Sequence, residues 1–334
     1  MQGPASPAED SRQRLCLARS RAVEASYPLV VHSYSSRGFP DLPQRYAALR
    51  ERTPVHLVSL YDLYHHLDGM AIGPRPGERR FLDSGTYEVD SVMNVSSLDG
   101  PPQRLPWSPD QYIEAARRHA HKGDVLVSYD FHTLPLADQV SEGMRLFAAV
   151  GVGGVAHDLL VHPLGADPTT VADEVARGAH GIGFLGVTEK DIGQPWFRAA
   201  AFLQQLRAAL DARMDRYLPI HIFGCLDPRT IPYLFFAGAD VFDGLAWMRY
   251  YFRDGHAYYD KEMEYDLAPQ TLLDGEASTR ALLLHNSDEL ERLRADLQYS
   301  VYTGDGELFT ECLDALIELE GGMARHGELL QNER

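Results

Sequence analysis

Cysteine, long hydrophobic runs and basic residues are all scarce in this sequence. The three cysteines are odd in number and far apart, which argues against a disulfide framework and indicates a reduced protein. No apolar run approaches membrane-spanning length, and the first residues, MQGPASPAEDSRQR, lack the apolar centre of a signal peptide. We therefore expect a cytoplasmic protein that has no membrane partner.

Positive charge is also in short supply. Lys and Arg number 31 against 48 Asp and Glu, so the formal net charge is −17. Long-range repulsion then opposes binding to a phosphate backbone, and such binding needs a local basic patch or a basic partner subunit. An acidic surface that keeps the protein soluble explains the charge equally well. The hydrophobic content of 45% is enough for a sizeable core and excludes wholesale disorder.

Short β-branched runs alternate with longer amphipathic stretches, a rhythm typical of repeated βα units. The predicted helices include Pro109–His121, Pro168–Gly178, Pro195–Arg216 and Pro228–Ala237, and several begin with Asp-Pro or Ser-Pro, which supplies a capping oxygen and a first-turn proline. The predicted strands are eight in number: Leu29–Ser35, Val55–Leu60, Arg80–Ser84, Asp124–Tyr129, Val155–Val161, Gly181–Val187, Ile220–Phe223 and Asp240–Leu245. The pattern predicts an α/β fold, a (β/α)8 TIM barrel with extra C-terminal helices.

The chain divides into an N-terminal arm over residues 1–26, a barrel over 27–262 and a C-terminal helical extension over 263–334. In the extension we expect helices at Asp288–Tyr299 and Glu307–Glu320. Two connections, Gly69–Arg79 and Val89–Ser108, are rich in Gly, Ser or Pro and longer than usual. Loops of that length near strand ends commonly cover or bind a ligand, and we expect that role here.

Three aspartates stand where predicted strands end: Asp83 in FLDSGTYE, Asp130 in VLVSYDFH and Asp243 in DVFDGLAW. In a parallel barrel those ends meet on one face, which is where barrel enzymes place their catalytic residues. A single such aspartate serves equally well as a helix cap, but three on one rim point to chemistry. Paired carboxylates suit substitution at the anomeric carbon of a sugar, one as nucleophile and one as acid and base. Magnesium binding is the second interpretation.

At these residues the sequence resembles the tRNA-guanine transglycosylase superfamily, whose members exchange guanine for a 7-deazaguanine base. FLDSGTYE resembles the family's Asp-Ser-Gly-Gly-aromatic motif, and GADVFDGLAWMRYYFRDG resembles its Gly-x-Asp-x-Phe-Asp segment. Weaker similarity covers GFLGV, IHIFG and ALLLHNSDELERL. The resemblance runs in order from about residue 80 to about residue 295.

The resemblance implies a role for each matching residue. Asp243 would be the nucleophile that attacks C1′, and Asp83 the acid and base for the departing and entering purine. The remaining substrate contacts that it implies are Asp130 and Ser84 at the base, Tyr87 and Phe223 as stacking rings, the backbone at Gly186, His162 in place of a base-reading glutamine, and Arg249 and Arg253 near the sugar-phosphate backbone. The two rings could equally be core aromatics, the two arginines surface ion pairs, and His162 a histidine satisfied by backbone.

The family's zinc site is the main departure. It uses a Cys-x-Cys-x-x-Cys cluster and the His of a Leu-His-Asn helix, but no cysteine lies between Cys225 and Cys312 here. One imidazole, that of His285, cannot hold a structural zinc, so we predict no metal and no other cofactor, with His285 packed or capping a helix. Because that region helps the tRNA enzymes grip their substrate, its loss puts the choice of tRNA in doubt.

Three functions are consistent with the sequence. The first is base exchange on guanine in tRNA or DNA through a covalent glycosyl-aspartate. The second is a glycosidase or transferase of 7-deazapurine metabolism that acts on a free nucleoside or nucleotide. The third is a non-catalytic subunit beside an active partner. A homodimer and a basic partner subunit both remain open.

Overall fold

The computed structural model describes residues 7–37, 41–67, 73–89, 105–266 and 275–332. Part of the predicted binding loop Gly69–Arg79 (residues 69–72) and most of the loop Val89–Ser108 (residues 90–104) lie outside the described residues. In the part of the chain that is described, no helix is long and apolar enough to cross a membrane.

Eight parallel strands close into a barrel in chain order. They are β1 Leu29–Tyr34, β2 Val55–Ser59, β3 Arg79–Asp83, β4 Val125–Val127, β5 Ala156–Leu160, β6 Phe184–Thr188, β7 Ile220–Phe223 and β8 Val241–Gly244. The last strand pairs with the first, with Val31 opposite Asp243, which closes the sheet without a free edge. The predicted (β/α)8 barrel is therefore confirmed.

Helices connect the strands and extend beyond the barrel. They are α1 Pro7–Ala18, α2 Ser20–Glu24, α3 Leu42–Leu49, α4 Leu60–His65, α5 Thr86–Val89, α6 Pro109–His119, α7 Leu136–Val150, α8 Pro168–Gly178, α9 Glu189–Ile192, α10 Trp196–Arg213, α11 Thr230–Ala237, α12 Met263–Asp266, α13 Gly275–Thr303 and α14 Thr310–Asn332. A two-stranded antiparallel hairpin, β9 Tyr250–Arg253 and β10 His256–Tyr259, follows the barrel.

Local sequence explains the helix starts. The Ser108 side chain accepts a hydrogen bond from the Gln111 amide at the start of α6, and Asp167 accepts from the Thr169 and Thr170 amides at the start of α8. In both helices proline occupies the first turn, where no amide hydrogen is needed. The predicted bounds of α8 are confirmed to the residue.

Most element boundaries differ from prediction by one or more residues, and two of them are instructive. β6 begins at Phe184 rather than Gly181, because Gly181 has φ of +80° and forms a turn before the strand. The predicted helix Asp288–Tyr299 is only the middle of α13, whose 29 residues extend from Gly275 to Thr303. The sequence pattern located these elements correctly but not their ends.

Residues 7–24 of the N-terminal arm form two helices that pack on the C-terminal helices. α1 packs against α13 and α14, and α2 packs against α13. From the junction of these two helices, the buried Arg19 donates to Asp240 Oδ1 at 2.6 Å and to the Ala239 carbonyl at 2.7 Å. The residues before β1 therefore anchor the base of β8.

Candidate active site

A cavity of about 360 Å³ opens at the carboxyl ends of the barrel strands. Its volume is in the range of small-molecule sites. Of the residues that the sequence predicted for a site, seven line it: Asp83, Ser84, Tyr87, Asp130, Phe223, Asp243 and Arg249. The fold thus brings together residues that are up to 166 positions apart between Asp83 and Arg249.

Asp83 ends β3 and begins a tight Asp-Ser-Gly turn. Its Oδ2 accepts a hydrogen bond from the Gly85 amide at 3.2 Å. Gly85 has φ of +84°, and a Cβ there would lie 2.5 Å from Tyr61 Cβ, so only glycine fits this turn. Burial, with a smaller contribution from the negative charge of Asp243, raises the pKa of Asp83 to about 7. Asp83 therefore carries a proton that it can donate near neutral pH.

Asp243 lies on β8 and is held by hydrogen bonds to both of its carboxylate oxygens. Ser33 on the neighbouring β1 donates its hydroxyl to Oδ2 at 2.7 Å, and the Gly224 amide donates to Oδ1 at 3.0 Å. The side chain is nearly buried, yet it reaches the cavity. Among the described residues it forms no ion pair with Lys or Arg, so the carboxylate is oriented without being neutralised by such a partner.

Beneath Asp243, two charged side chains fill the centre of the barrel. His221 on β7 donates from Nδ1 to Asp158 Oδ2 on β5 at 2.6 Å, and both residues have 0% exposure. The other ring nitrogen, Nε2, lies 3.4 Å from Asp243 Oδ1. Although burial alone would lower it, the two carboxylates raise the pKa of His221 to about 9.

Asp130 at the end of β4 is also held in place. Its Oδ1 accepts from the His132 amide and from His162 Nε2, each at 2.9 Å. The other nitrogen of His162 bonds Asp191. Burial lowers the pKa of His162, but the hydrogen bonds to Asp130 and Asp191 outweigh it and raise the pKa to about 9. His162 thus lies behind Asp130 instead of lining the cavity, where the sequence predicted that it would read a base.

Two aromatic rings line the cavity, as the sequence predicted. The Tyr87 ring lies under the Arg37 guanidinium, 4.9 Å from it, and Arg37 also donates to the Tyr87 carbonyl. The half-buried Phe223 ring packs on His221, with centroids 3.9 Å apart. Phe223 also covers Gly186, where a Cβ would lie 2.4 Å from the ring. Gly186 therefore supports a ring, and its carbonyl is occupied by the Val161 amide.

Carboxyl groups outnumber basic side chains in the lining of the cavity. Its basic side chains are Lys190 and Arg249, whereas its carboxylates are Asp83, Glu88, Asp130, Glu189 and Asp243. Burial and the neighbouring carboxylates of Asp62 and Asp83 raise the pKa of Glu88 well above its ordinary value. Such a cavity favours a ligand rich in hydrogen-bond donors over an anionic one.

Two residues singled out from the sequence lie away from the cavity. Arg253 is on the β9–β10 hairpin and donates to Asp266 at 2.7 Å. His285 on α13 donates from Nε2 to the Phe252 carbonyl at 2.7 Å, and its ring packs on Tyr251. Over the described ranges of the chain, no group of three or more His, Cys, Asp or Glu side chains is arranged to hold a metal ion.

The sequence interpretation missed Ser33, Asp158 and His221. Each is a buried polar residue on a barrel strand, in LVVHSY, AHDLL and IHIF, where polar residues interrupt apolar ones. That interruption was a usable signal, because barrel interiors are normally filled by branched apolar side chains. No known protein family matches the chain, and a search of characterised proteins also finds no match.

Proposed function

We propose that this chain is a transglycosylase that replaces guanine in a nucleic acid, tRNA or DNA, with a 7-deazaguanine-type base through a covalent glycosyl-aspartate. The observation that carries the proposal is the pairing of Asp83 and Asp243 in one cavity with different environments. The pKa of Asp83 is raised to about 7, so a substantial fraction of this group keeps its proton at neutral pH, whereas Asp243 accepts two hydrogen bonds from neutral donors. Such a pair supplies an acid and a nucleophile together.

The chemistry proceeds in two balanced halves. Asp243 attacks C1′ of the target nucleotide, the C1′–N9 bond breaks, and the bonding electrons leave with guanine, which takes the proton of Asp83. The incoming base then gives its N9 proton to the Asp83 carboxylate as N9 attacks C1′. The ester bond to Asp243 breaks, and its electrons restore the carboxylate.

Recognition of guanine follows from the acidic lining. Guanine presents N1–H and an exocyclic amine, which are donors that the Asp130 carboxylate can accept. His162 and Asp191 hold that carboxylate in place from behind, so we assign His162 a positioning role. Tyr87 and Phe223 offer aromatic faces for the purine.

A trapping experiment tests this proposal. The full chain is incubated with guanine-containing RNA or DNA and a slow acceptor base, and then denatured and weighed by intact mass spectrometry. We expect an adduct of one nucleic-acid chain on the wild type and none on Asp243→Asn. The matched control is Asp167→Asn, at an exposed helix cap where asparagine caps equally well, and it should form the adduct normally. Full exchange by Asp243→Asn would refute the mechanism.

Action on a free nucleoside or nucleotide is the second candidate, and the charge distribution favours it. The chain carries −17 overall, and the lining of the cavity contributes only two basic residues. Salt titration separates the two candidates, because a polyanionic substrate releases counterions and loses affinity steeply as salt rises. A KM that does not change between about 50 and 200 mM salt would favour a free nucleoside or nucleotide as the substrate.

A further inference from the structure

The centre of the barrel holds charges that the two-aspartate chemistry above does not use. Asp158 and His221 are fully buried on β5 and β7, inside a fold whose interior is usually apolar. Burying an ion pair costs desolvation energy, and apolar residues of similar volume often serve stability equally well or better. The pair therefore calls for an explanation other than stability.

The contacts of His221 point to one explanation. Its Nδ1 is fixed by Asp158 at 2.6 Å, which leaves Nε2 facing Asp243 Oδ1 at 3.4 Å. Nε2 has no hydrogen-bond partner in the described part of the chain, although it is completely buried. Two phenylalanine rings hold the imidazole in place. The ring centroid of Phe223 lies 3.9 Å from that of His221, and the ring centroid of Phe81 lies 5.3 Å from it. These contacts hold Nε2 of His221 facing Asp243.

We infer that Asp158 and His221 form a buried relay in which the imidazolium of His221 positions Asp243 and stabilises its carboxylate when the glycosyl ester is released. The inference rests on the proposed function for the role of Asp243. Both residues are positioning residues, since neither reaches the cavity lining. A separation of 3.4 Å is long for a charged hydrogen bond, and such contacts commonly shorten as the reaction proceeds.

The positive charge of His221 affects the two halves of the proposed reaction differently. When Asp243 attacks C1′ its negative charge is consumed, and when the ester bond breaks the charge returns. A fixed positive charge beside Asp243 therefore favours the second half of the reaction over the first. Removing that charge slows release more than attack, so the covalent intermediate should accumulate.

The first test needs no substrate. Full-length protein with isotopically labelled histidine is titrated with pH and followed by NMR. The His221 signal is assigned by its disappearance in His221→Gln. The titratable groups that face this ring are Asp158 from β5 and Asp243 from β8, and they raise its pKa to about 9. We expect Asp158→Asn and Asp243→Asn each to lower that pKa. A His221 titration that Asp243→Asn leaves unchanged would overturn the relay, whatever reaction the protein catalyses.

The second test follows turnover and adduct together. In Asp158→Asn and in His221→Gln we expect turnover to fall on the order of tenfold, less than for loss of a tight oxyanion donor. The fraction of enzyme held as adduct should rise. The deficit of Asp158→Asn relative to the wild type should widen as the pH rises from about 6 to 8, because the variant loses its imidazolium in that range while the wild type keeps it.

A matched control separates positioning from folding. His157→Gln changes a neighbouring β5 histidine that stacks on Phe147 with centroids 4.2 Å apart, outside the relay, and it should leave turnover and adduct unchanged. Turnover and adduct that fall together in both relay variants would mean simple misfolding or misplacement and would overturn the electrostatic role. A wild type that forms no adduct would refute the proposed function instead, and the NMR titration would still decide the relay.

Discussion

Asp83 and Asp243 are chemically identical side chains that the fold places in different environments on one rim. Asp83 is half-buried and accepts a weak backbone hydrogen bond from Gly85, and desolvation raises its pKa to about 7. Asp243 accepts from Ser33 and Gly224 and lies next to the His221 ring. The proposed division of labour between acid and nucleophile thus depends on neighbours that are distant in sequence.

The raised pKa of Asp83 makes a prediction about stability. Because the folded pKa of about 7 exceeds the ordinary 3.8, the stabilising contribution of this group is fully present below about pH 4 and is lost as the pH rises through 7. Asparagine does not titrate, so Asp83→Asn does not lose this contribution to the free energy of unfolding as the pH rises. In thermal unfolding at about pH 8, we expect the variant to be more stable than the wild type by up to roughly 4 kcal/mol, with little difference at about pH 4.

The same substitution should abolish base exchange, since asparagine cannot donate the acid proton. Asp167→Asn is the control, because the hydrogen bond from Thr170 lowers the pKa of that exposed cap, and it should show no gain at pH 8. Equal stability of Asp83→Asn and the wild type at both pH values would contradict the assignment of Asp83 as a buried acid.

Sequence reasoning was limited at this scale. The motif around Asp83 and the segment around Asp243 led to the two aspartates, and both line the cavity. The burial of Asp158 and His221 and the hydrogen bond from Ser33 depend on which strands become neighbours. Strand neighbours and register are properties of the closed barrel, so local sequence could not give those contacts.

At the scale of elements, the site depends on how the neighbouring strands β6 and β7 pair, with Gly186 opposite His221. Gly186 on β6 leaves space that the Phe223 ring from β7 fills, and that ring in turn covers His221. A single missing side chain on one strand therefore sets the position of an aromatic wall on the next. Element positions were well predicted because apolar runs alternate with amphipathic ones, whereas the start of β6 was wrong because the Gly181 turn was read as strand.

Gly186→Ala tests this packing. The new Cβ would lie 2.4 Å from Phe223 and 3.1 Å from Asp158 Oδ1, so the ring must turn into the cavity. We expect a stability cost of about 1–3 kcal/mol and a KM for the incoming base that rises roughly tenfold or more. Gly153→Ala, where a Cβ meets nothing within 4 Å, should change neither quantity. An unchanged KM in Gly186→Ala would mean that Phe223 does not contact the base.

At the scale of the whole molecule, the helices before and after the barrel pack against one another and against its wall. α14 contacts α1, α10 and α11, and α13 contacts β1 and the β9–β10 hairpin. The sequence predicted helices after the barrel, but the packing of residues 7–24 was missed because the composition of that segment is polar. Its buried residues include Leu15, Cys16 and Ala22. They also include Arg19, which reaches Asp240 across 221 positions.

Removing that arginine should loosen the whole fold. Arg19→Met leaves Asp240 with Arg207 at 2.9 Å as its remaining buried cation, and breaking buried pairs is strongly destabilising. We expect the free energy of unfolding in urea to fall by about 3 kcal/mol. Arg21→Met is the control, because Arg21 is mostly exposed and lies 4.0 Å from Asp211, and it should cost less than about 1 kcal/mol. Equal losses in the two variants would contradict the anchoring role.

The seam between β1 and β8 has a consequence for how activity arises during synthesis. Asp243 and the Ser33 hydroxyl that donates a hydrogen bond to it are 210 positions apart. They meet only when the last barrel strand, β8, pairs with the first, β1. A nascent chain that has not yet emerged as far as β8 carries Asp83, the proposed proton donor, but lacks Asp243, the proposed nucleophile. Under the proposed function, a chain that ends before β8 can therefore form no glycosyl-aspartate, and the proposed acid and nucleophile share a cavity only after the barrel has closed.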